Sequence, residues 1–192
     1  MDKIKRKTFA AREDLIEGMN KVARLRGLSL YGFVNETFEA ALKAEDQGMS
    51  LQSLMEGLEN LKASRETGFI LGLESLWYEM TDLAYEKVKE KALKSWFDAG
   101  VWLAKSYISN SGHDPFLTFK KRLESFIWNA SELDIKETSD EKVSIRVISP
   151  RFPESYTFLL TAFLEGALEA FGCKGVSKEV SKGTIRIRAH KT

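Results

Sequence analysis

The chain has 192 residues, 43% hydrophobic and 30% charged, with a formal net charge of +1. Such a balance supplies a core and excludes a disordered or low-complexity chain. It also excludes a protein-wide cationic field, so affinity for nucleic acid has to come from local charge.

The first residues carry that local charge. Lys3, Lys5, Arg6 and Lys7 stand within five positions without an acid, and Thr8, Phe9 and Ala10 follow. The stretch reads as a short basic strand. It has no sheet partner nearby in the sequence, so a strand here requires a second chain. If Phe9 faces inward, the period of two sends Arg6, Thr8 and Ala10 outward and puts Lys5 and Lys7 on the inner phase. Long lysine stems still carry their ammonium groups to the surface.

Two amphipathic helices come next. Leu15, Ile16, Met19, Val22 and Ala23 form a stripe at helical period. Glu13 and Asp14 sit in the first turn, Arg24 and Arg26 in the last, and Gly27 follows as the stop residue. Ser29 is then the N-cap of the second helix, whose buried face is expected to be Phe33, Val34, Thr37, Phe38, Ala41 and Leu42.

The basic strand before Arg12, the run Arg12–Glu17, the elbow Arg24–Ser29 and the segment Phe33–Glu36 together resemble the ribbon-helix-helix family, the MetJ/Arc/CopG group of DNA-binding proteins. The likeness covers about the first quarter of the chain. It implies that residues 1–46 are a DNA-binding domain in which strands from two chains pair and lie in the major groove of double-stranded DNA. Lys5, Arg6, Lys7 and Thr8 would be its ribbon contacts, and the backbone N–H groups of Ser29 and Leu30 would hold a phosphate. Two positions depart from the family pattern: Ala10 stands where a polar base-reader belongs, and Lys5 and Lys7 occupy an inward phase that is usually apolar.

Gln47-Gly48-Met49-Ser50 breaks the second helix. Ser50 caps a third helix with Leu51, Leu54, Met55, Leu58 and Leu61 on one stripe. Residues 47–67 thus read as a helical connector or dimer seam. Phe69–Gly72 is an extended lead-in or a strand. Leu76, Met80, Leu83, Ala84, Val88 and Ala92 mark a long helix that continues, or breaks near Lys94, into Phe97, Val101 and Ala104. Gly100 invites close approach of another helix. Asp114-Pro115 opens a helix that buries Phe116, Phe119, Leu123, Phe126 and Ile127.

The period then changes to two over Glu132–Glu137 and Val143–Ser149, a hairpin. An apolar helix spans residues ~154–171. A second hairpin, Gly175–Val180 and Thr184–Ala189, turns at Ser181-Lys182-Gly183. Residues 68–192 are therefore expected to form an α+β domain, a small antiparallel sheet packed on helices.

The segment Phe97–Ala104, the Asp114-Pro115 start and the run Phe163–Gly172 before the last hairpin make this half similar to the 4-vinyl reductase-type hydrocarbon-binding domain, related to TRAPP subunits. The resemblance implies a site for a small apolar ligand. The cysteines often found in that family's final hairpin are missing here.

The sequence holds no phosphate-cradling glycine loop, metal motif or nucleophile elbow, so neither a cofactor nor enzyme activity is expected. A single cysteine, Cys173, leaves no material for an intrachain disulfide or a cysteine zinc site. His113 and His190 lie in polar surroundings, and the Glu165/Glu169 pair has no third ligand. No apolar run is long enough to span a bilayer, which gives the expectation of a cytoplasmic protein without a membrane contact.

The aromatic set Trp77, Trp96, Trp102, Phe116, Phe126 and Trp128 is the remaining signal. Trp96, Trp102 and Phe126 are candidate lining residues for an apolar ligand, against the alternative of an ordinary aromatic core. The expectation is a DNA-binding transcriptional regulator, a homodimer or dimer of dimers. Its second domain would sense an apolar molecule or hold the oligomer, and a ligand would act by changing the spacing of the DNA-binding units. The alternative is an antitoxin-like or adaptor protein whose C-terminal domain binds a partner protein.

Overall fold

The structure, a computed structural model, describes residues 7–70, 72–110, 114–127, 129–138 and 141–191. The chain divides into two compact units, 1–62 and 63–192. The division falls within the third helix.

The first unit is built from α1 (Glu13–Leu25), α2 (Leu30–Asp46) and most of α3 (Leu51–Glu66). All three helices stop in the same way. Gly27, Gly48 and Gly68 adopt φ of 69°, 72° and 80°, the left-handed conformation that glycine takes without strain. After α1, the Gly27 N–H donates to the Arg24 carbonyl and the Leu28 N–H to the Ala23 carbonyl, which satisfies the orphan carbonyls of the last turn. The same pair of bonds recurs at Gly48–Met49 and Gly68–Phe69. The starts follow the expected chemistry too. Ser29 Oγ accepts from the Gly32 N–H at 3.0 Å and Ser50 Oγ from the Ser53 N–H at 3.1 Å. Arg12 offers α1 no side-chain cap and instead pairs with Asp14 in the first turn.

Burial in this unit departs from expectation. Among its described residues only Ala23 and Ala44 are buried hydrophobics, at 0% and 3% exposure. Phe38 and Leu42, expected on a covered face, are 46% and 66% exposed, and Leu15 and Val22 are exposed as well. Phe9, expected inward, is 57% exposed and meets the Phe38 ring at 5.4 Å. Residues 7–12 form no strand. One cause accounts for all of this. Within this unit α1, α2 and the tail leave these apolar side chains without an opposing layer, and residues 7–12 have no neighbouring strand among the described residues to pair with.

The second unit carries α4 (Glu74–Asn110), α5 (Pro115–Phe126), β1 (Glu132–Glu137), β2 (Lys142–Ile148), α6 (Glu154–Ala170), β3 (Cys173–Ser181) and β4 (Thr184–Lys191). The strands form one antiparallel sheet in the order β1-β2-β4-β3, so the two hairpins join through β2 and β4. Val143, Ile145 and Val147 of β2 and Ile185, Ile187 and Ala189 of β4 alternate onto the inner face, all buried. α6 lies between that face and α4 and is covered on most sides, including Leu159, Leu164, Ala167 and Leu168. Each fully buried Ile or Leu is worth roughly 1.5–3 kcal/mol. Exposed ion pairs such as Lys94–Asp98 add at most ~1 kcal/mol, so the apolar core decides the stability of this unit.

Backbone contact fixes how α4 and α6 cross. A Cβ on Gly100 would collide with the Phe163 carbonyl, and one on Gly166 with the Phe97 carbonyl. Two glycines facing each other's helix let the backbones touch. Of the two readings for α4, continuation or a break near Lys94, the helix continues through Lys94. It kinks earlier, at Val88 (φ −143°, ψ 47°), where neither proline nor glycine stands. Phe69 and Ile70 belong to no strand; Phe69 instead packs on Phe126 at 4.3 Å.

Gly166→Ala should force α4 and α6 apart and destabilise the second unit by about 1–3 kcal/mol or more, since overpacking against backbone cannot relax by a rotamer change. Gly57→Ala, a helix-interior site whose Cβ would meet nothing within 4 Å, should leave stability unchanged or raise it by about 0.5–1 kcal/mol. Urea titration of the two variants checks both.

Candidate nucleic-acid interface and aromatic cluster

Of the four ribbon candidates, Lys5 and Arg6 lie outside the described residues. Lys7 and Thr8 are exposed in the segment that leads into α1. Ser29 and Leu30 sit at the α1–α2 elbow. The Ser29 hydroxyl is committed to the Gly32 N–H, and its carbonyl accepts from the Phe33 N–H at 3.0 Å. The Leu30 N–H, at the first helical position, has no acceptor within the helix and points along the positive end of the macrodipole. Arg26 lies over the Phe33 ring, 5.6 Å from its centroid, and braces the elbow from the α1 side. A hollow of about 430 Å³ runs along α1, lined by Glu17, Asn20, Lys21, Arg24 and Leu25.

The three ligand-lining candidates do not converge. Trp96 is half-buried, edge-on to Tyr156 at 5.6 Å and tilted against Trp77 at 6.0 Å. Trp102 lies six residues further along the same helix and is 59% exposed. Six steps of ~100° turn it away from the Trp96 face. Phe126 is engaged with Phe69, elsewhere in the unit. Tyr78, Phe152 and Tyr156 complete the Trp96 cluster, with Tyr156 5.0 Å from Tyr78 and 4.8 Å from Phe152. These rings fill space against one another. Trp128 and His113 lie outside the described residues.

Sequence reasoning missed a polar seam beside that cluster. The Tyr78 hydroxyl donates to Glu74 Oε1 at 2.8 Å. The Asn129 amide donates to the Tyr78 oxygen at 2.9 Å, and Arg151 pairs with Glu74 at 3.3 Å. Ser149 Oγ donates to the Asn129 carbonyl at 2.9 Å, and Ser155 Oγ donates to Asp82. The seam ties the start of α4 to the segments before β1 and after β2. The residues it joins to α4 stand 51 to 77 positions away in sequence (Asn129 from Tyr78, Arg151 from Glu74), so no local signal could have found it.

The electrostatics follow. The Tyr78 hydroxyl above all, with help from Asn129 and Arg151, holds the Glu74 carboxyl below its usual range against the opposing effect of desolvation. Burial pushes the Tyr78 phenol up, and the neighbouring Glu74 carboxylate adds to it. Burial likewise pushes Tyr156 up to about 12. The buried Cys173 thiol is raised by desolvation, the opposite of what a nucleophile needs. Glu165 of the i, i+4 pair is bound to Lys178 at 2.7 Å. No helix among the described residues is long and apolar enough to cross a membrane.

No family model, curated protein or solved structure matches the chain.

The phenols give a pH signature. Folding raises the Tyr156 pKa from 10.0 to about 12, so the unfolded chain releases that proton first. Stability of the second unit should be fully present below pH 10.0 and should fall as pH rises toward about 12. Tyr156→Phe, which cannot ionise, should flatten that decline. Thermal melts across the alkaline range compare the two proteins.

Proposed function

We infer that the chain is a DNA-binding regulator that works as a homodimer, with the basic tail and the α1–α2 elbow as its contact to duplex DNA. The observation that carries this reading is the uncovered apolar face of the first unit. Helices of 13 and 17 residues are marginal on their own in water and take their stability from packing. A first unit whose only buried hydrophobics, among the described residues, are two alanines calls for an external layer. A second copy supplies it: Leu15, Val22, Phe38 and Leu42 from two chains make one core, and Phe9 caps it from the tail. Pairing also gives the tail the strand partner that one chain lacks. It brings two sets of the Lys3–Lys7 cations side by side, the local field that a chain of net charge +1 needs for DNA. The outward N–H at Leu30 and the positive end of α2 supply a place for a backbone phosphate. Arg6 and Thr8 would face the groove, and Lys5 and Lys7 would reach phosphates through their long stems.

The second unit would set the oligomer or receive a signal. Its packed aromatic cluster favours contact with protein over an internal site for an apolar ligand. Leu73, Leu76, Trp77, Met80 and Leu83 form an exposed stripe along the start of α4. The same stripe favours the second reading, an adaptor whose C-terminal unit holds a partner protein.

Phe38→Glu buries a charge in the proposed core and should convert the protein to monomers and abolish measurable DNA binding in a mobility-shift assay. Lys7→Ala should leave the dimer intact, weaken all duplexes alike, and make log K against log salt shallower by about 0.9 for each phosphate that the ammonium group neutralises. A Phe38→Glu monomer that binds DNA as tightly as the parent would refute the reading.

A further inference from the structure

The start of α4 turns an apolar side to water. Its inner side packs on α6, where Tyr78 meets Tyr156 and Tyr85 stacks on Phe158 at 6.1 Å. Leu73, just before the helix, and Leu76, Trp77, Met80 and Leu83 lie elsewhere on its surface, with 45% to 73% of each open to water. Leu73, Leu76, Met80 and Leu83 follow one another by three, four and three residues. That is the a/d spacing with which one helix packs along another. The stripe has a definite end. Lys87 takes the next seam position and is exposed, and α4 kinks at Val88. Val88, Trp102 and Ile108, the other exposed large hydrophobics of the helix, stand at the kink or beyond it. At roughly 150–250 Å² for a fully exposed large side chain, the stripe leaves on the order of 500 Å² of apolar surface in water. The largest apolar patch of a monomer is about 300–600 Å² and is often an interaction site. A stable interface takes about 800 Å² from each partner, about 56–65% of it apolar. In area, the stripe matches what one half of a dimer interface supplies.

We propose that this stripe packs against the same stripe of a second copy, so that the homodimer is closed through both of its units. The spacing calls for a helix with a matching seam, and this chain carries one. A two-fold axis brings the two identical stripes together without any further partner. The choice of a second copy over a foreign protein rests on the homodimer proposed for the first unit. α3 (Leu51–Glu66) spans the boundary between the units, so two chains paired through their first units carry their second units on a short tether. A short tether holds the linked parts at an effective concentration of about a millimolar, which a foreign protein does not reach. The seam needs that help. From Leu73 to Leu83 it is about 15 Å long, two turns or so of paired helix, which is too little to hold free chains together. Phe38→Glu, which removes the first interface, also removes the tether and leaves the stripe open.

The test uses the full-length chain with one cysteine placed on the stripe, Leu76→Cys or Met80→Cys, and the buried Cys173 left as it is; the parent chain gives the baseline. Sedimentation reports the mass, and mild oxidation followed by a non-reducing gel reports contact. The two stripe variants, alone or mixed, should form a disulfide-linked dimer. Ser95→Cys, exposed on α4 beyond the kink, should not. Leu76→Glu/Met80→Glu should weaken the dimer by about 10²-fold or more, the avidity that a second tethered contact adds, while its circular dichroism spectrum stays that of the parent. A dimer by mass whose stripe cysteines do not cross-link overturns the proposal and leaves the first interface standing, with the stripe open to a foreign partner protein. Cross-linking that is as fast at Ser95→Cys also overturns it, as does an unchanged dissociation constant in the double glutamate variant. A stripe cross-link that persists when Phe38→Glu is added keeps the stripe interface and removes the first-unit reading. A parent of one-chain mass without a stripe cross-link overturns both.

Discussion

The constraint on which the proposed assembly depends is a set of apolar side chains without a layer to cover them. α1 and α2 carry well-phased stripes and glycine stops, yet the described part of their unit buries only Ala23 and Ala44 as hydrophobics. Backbone hydrogen bonds within helices are satisfied locally and do not repay the entropy of ordering some thirty residues, at roughly 1–2 kcal/mol each for the backbone alone. Burial must do that, and a single chain supplies too little of it here. The tail points the same way, because a strand needs a neighbour before its N–H and C=O groups can leave water. In the proposed reading, a homodimer and a DNA-facing ribbon would thus be linked. The association that completes the core would also be the one that concentrates basic charge.

The second unit is the opposite case. α6 sits between the sheet and α4, and its crossing with α4 is set by backbone against backbone at Gly100 and Gly166. The polar seam around Glu74, Tyr78 and Asn129 then pins the start of α4. The unit is closely packed around α6. It is suited to present a surface, the apolar stripe of α4, and its aromatic cluster leaves little room to enclose a guest.

Local chemistry was legible in the sequence. Ser29, Ser50 and Asp114 act as caps, and Gly27 ends its helix with a left-handed φ of 69°. The two hairpins fall within a residue or two of the alternating stretches, because pleat and period are the same fact. What depends on distant residues was not legible. No pattern marks Val88 as the kink, and the joining of hairpins through β2 and β4 is a property of the assembled sheet. The stripes of α1 and α2 were read correctly as apolar, but periodicity says which face is apolar and not what covers it. Trp96, Trp102 and Phe126 looked like a set because all are large. Helical rotation and the packing of Phe126 on Phe69 place them apart.

The dependence of folding on association is the point on which the account stands. The most direct measurement is circular dichroism melting of the full chain over a hundredfold range of concentration, with mass measured by sedimentation at each end. A second copy that completes the first unit requires the helical signal of that unit to melt at a temperature that rises with concentration, and the mass to fall toward one chain as the signal disappears on dilution. A fully helical species of one-chain mass whose melting temperature does not change with concentration would contradict it.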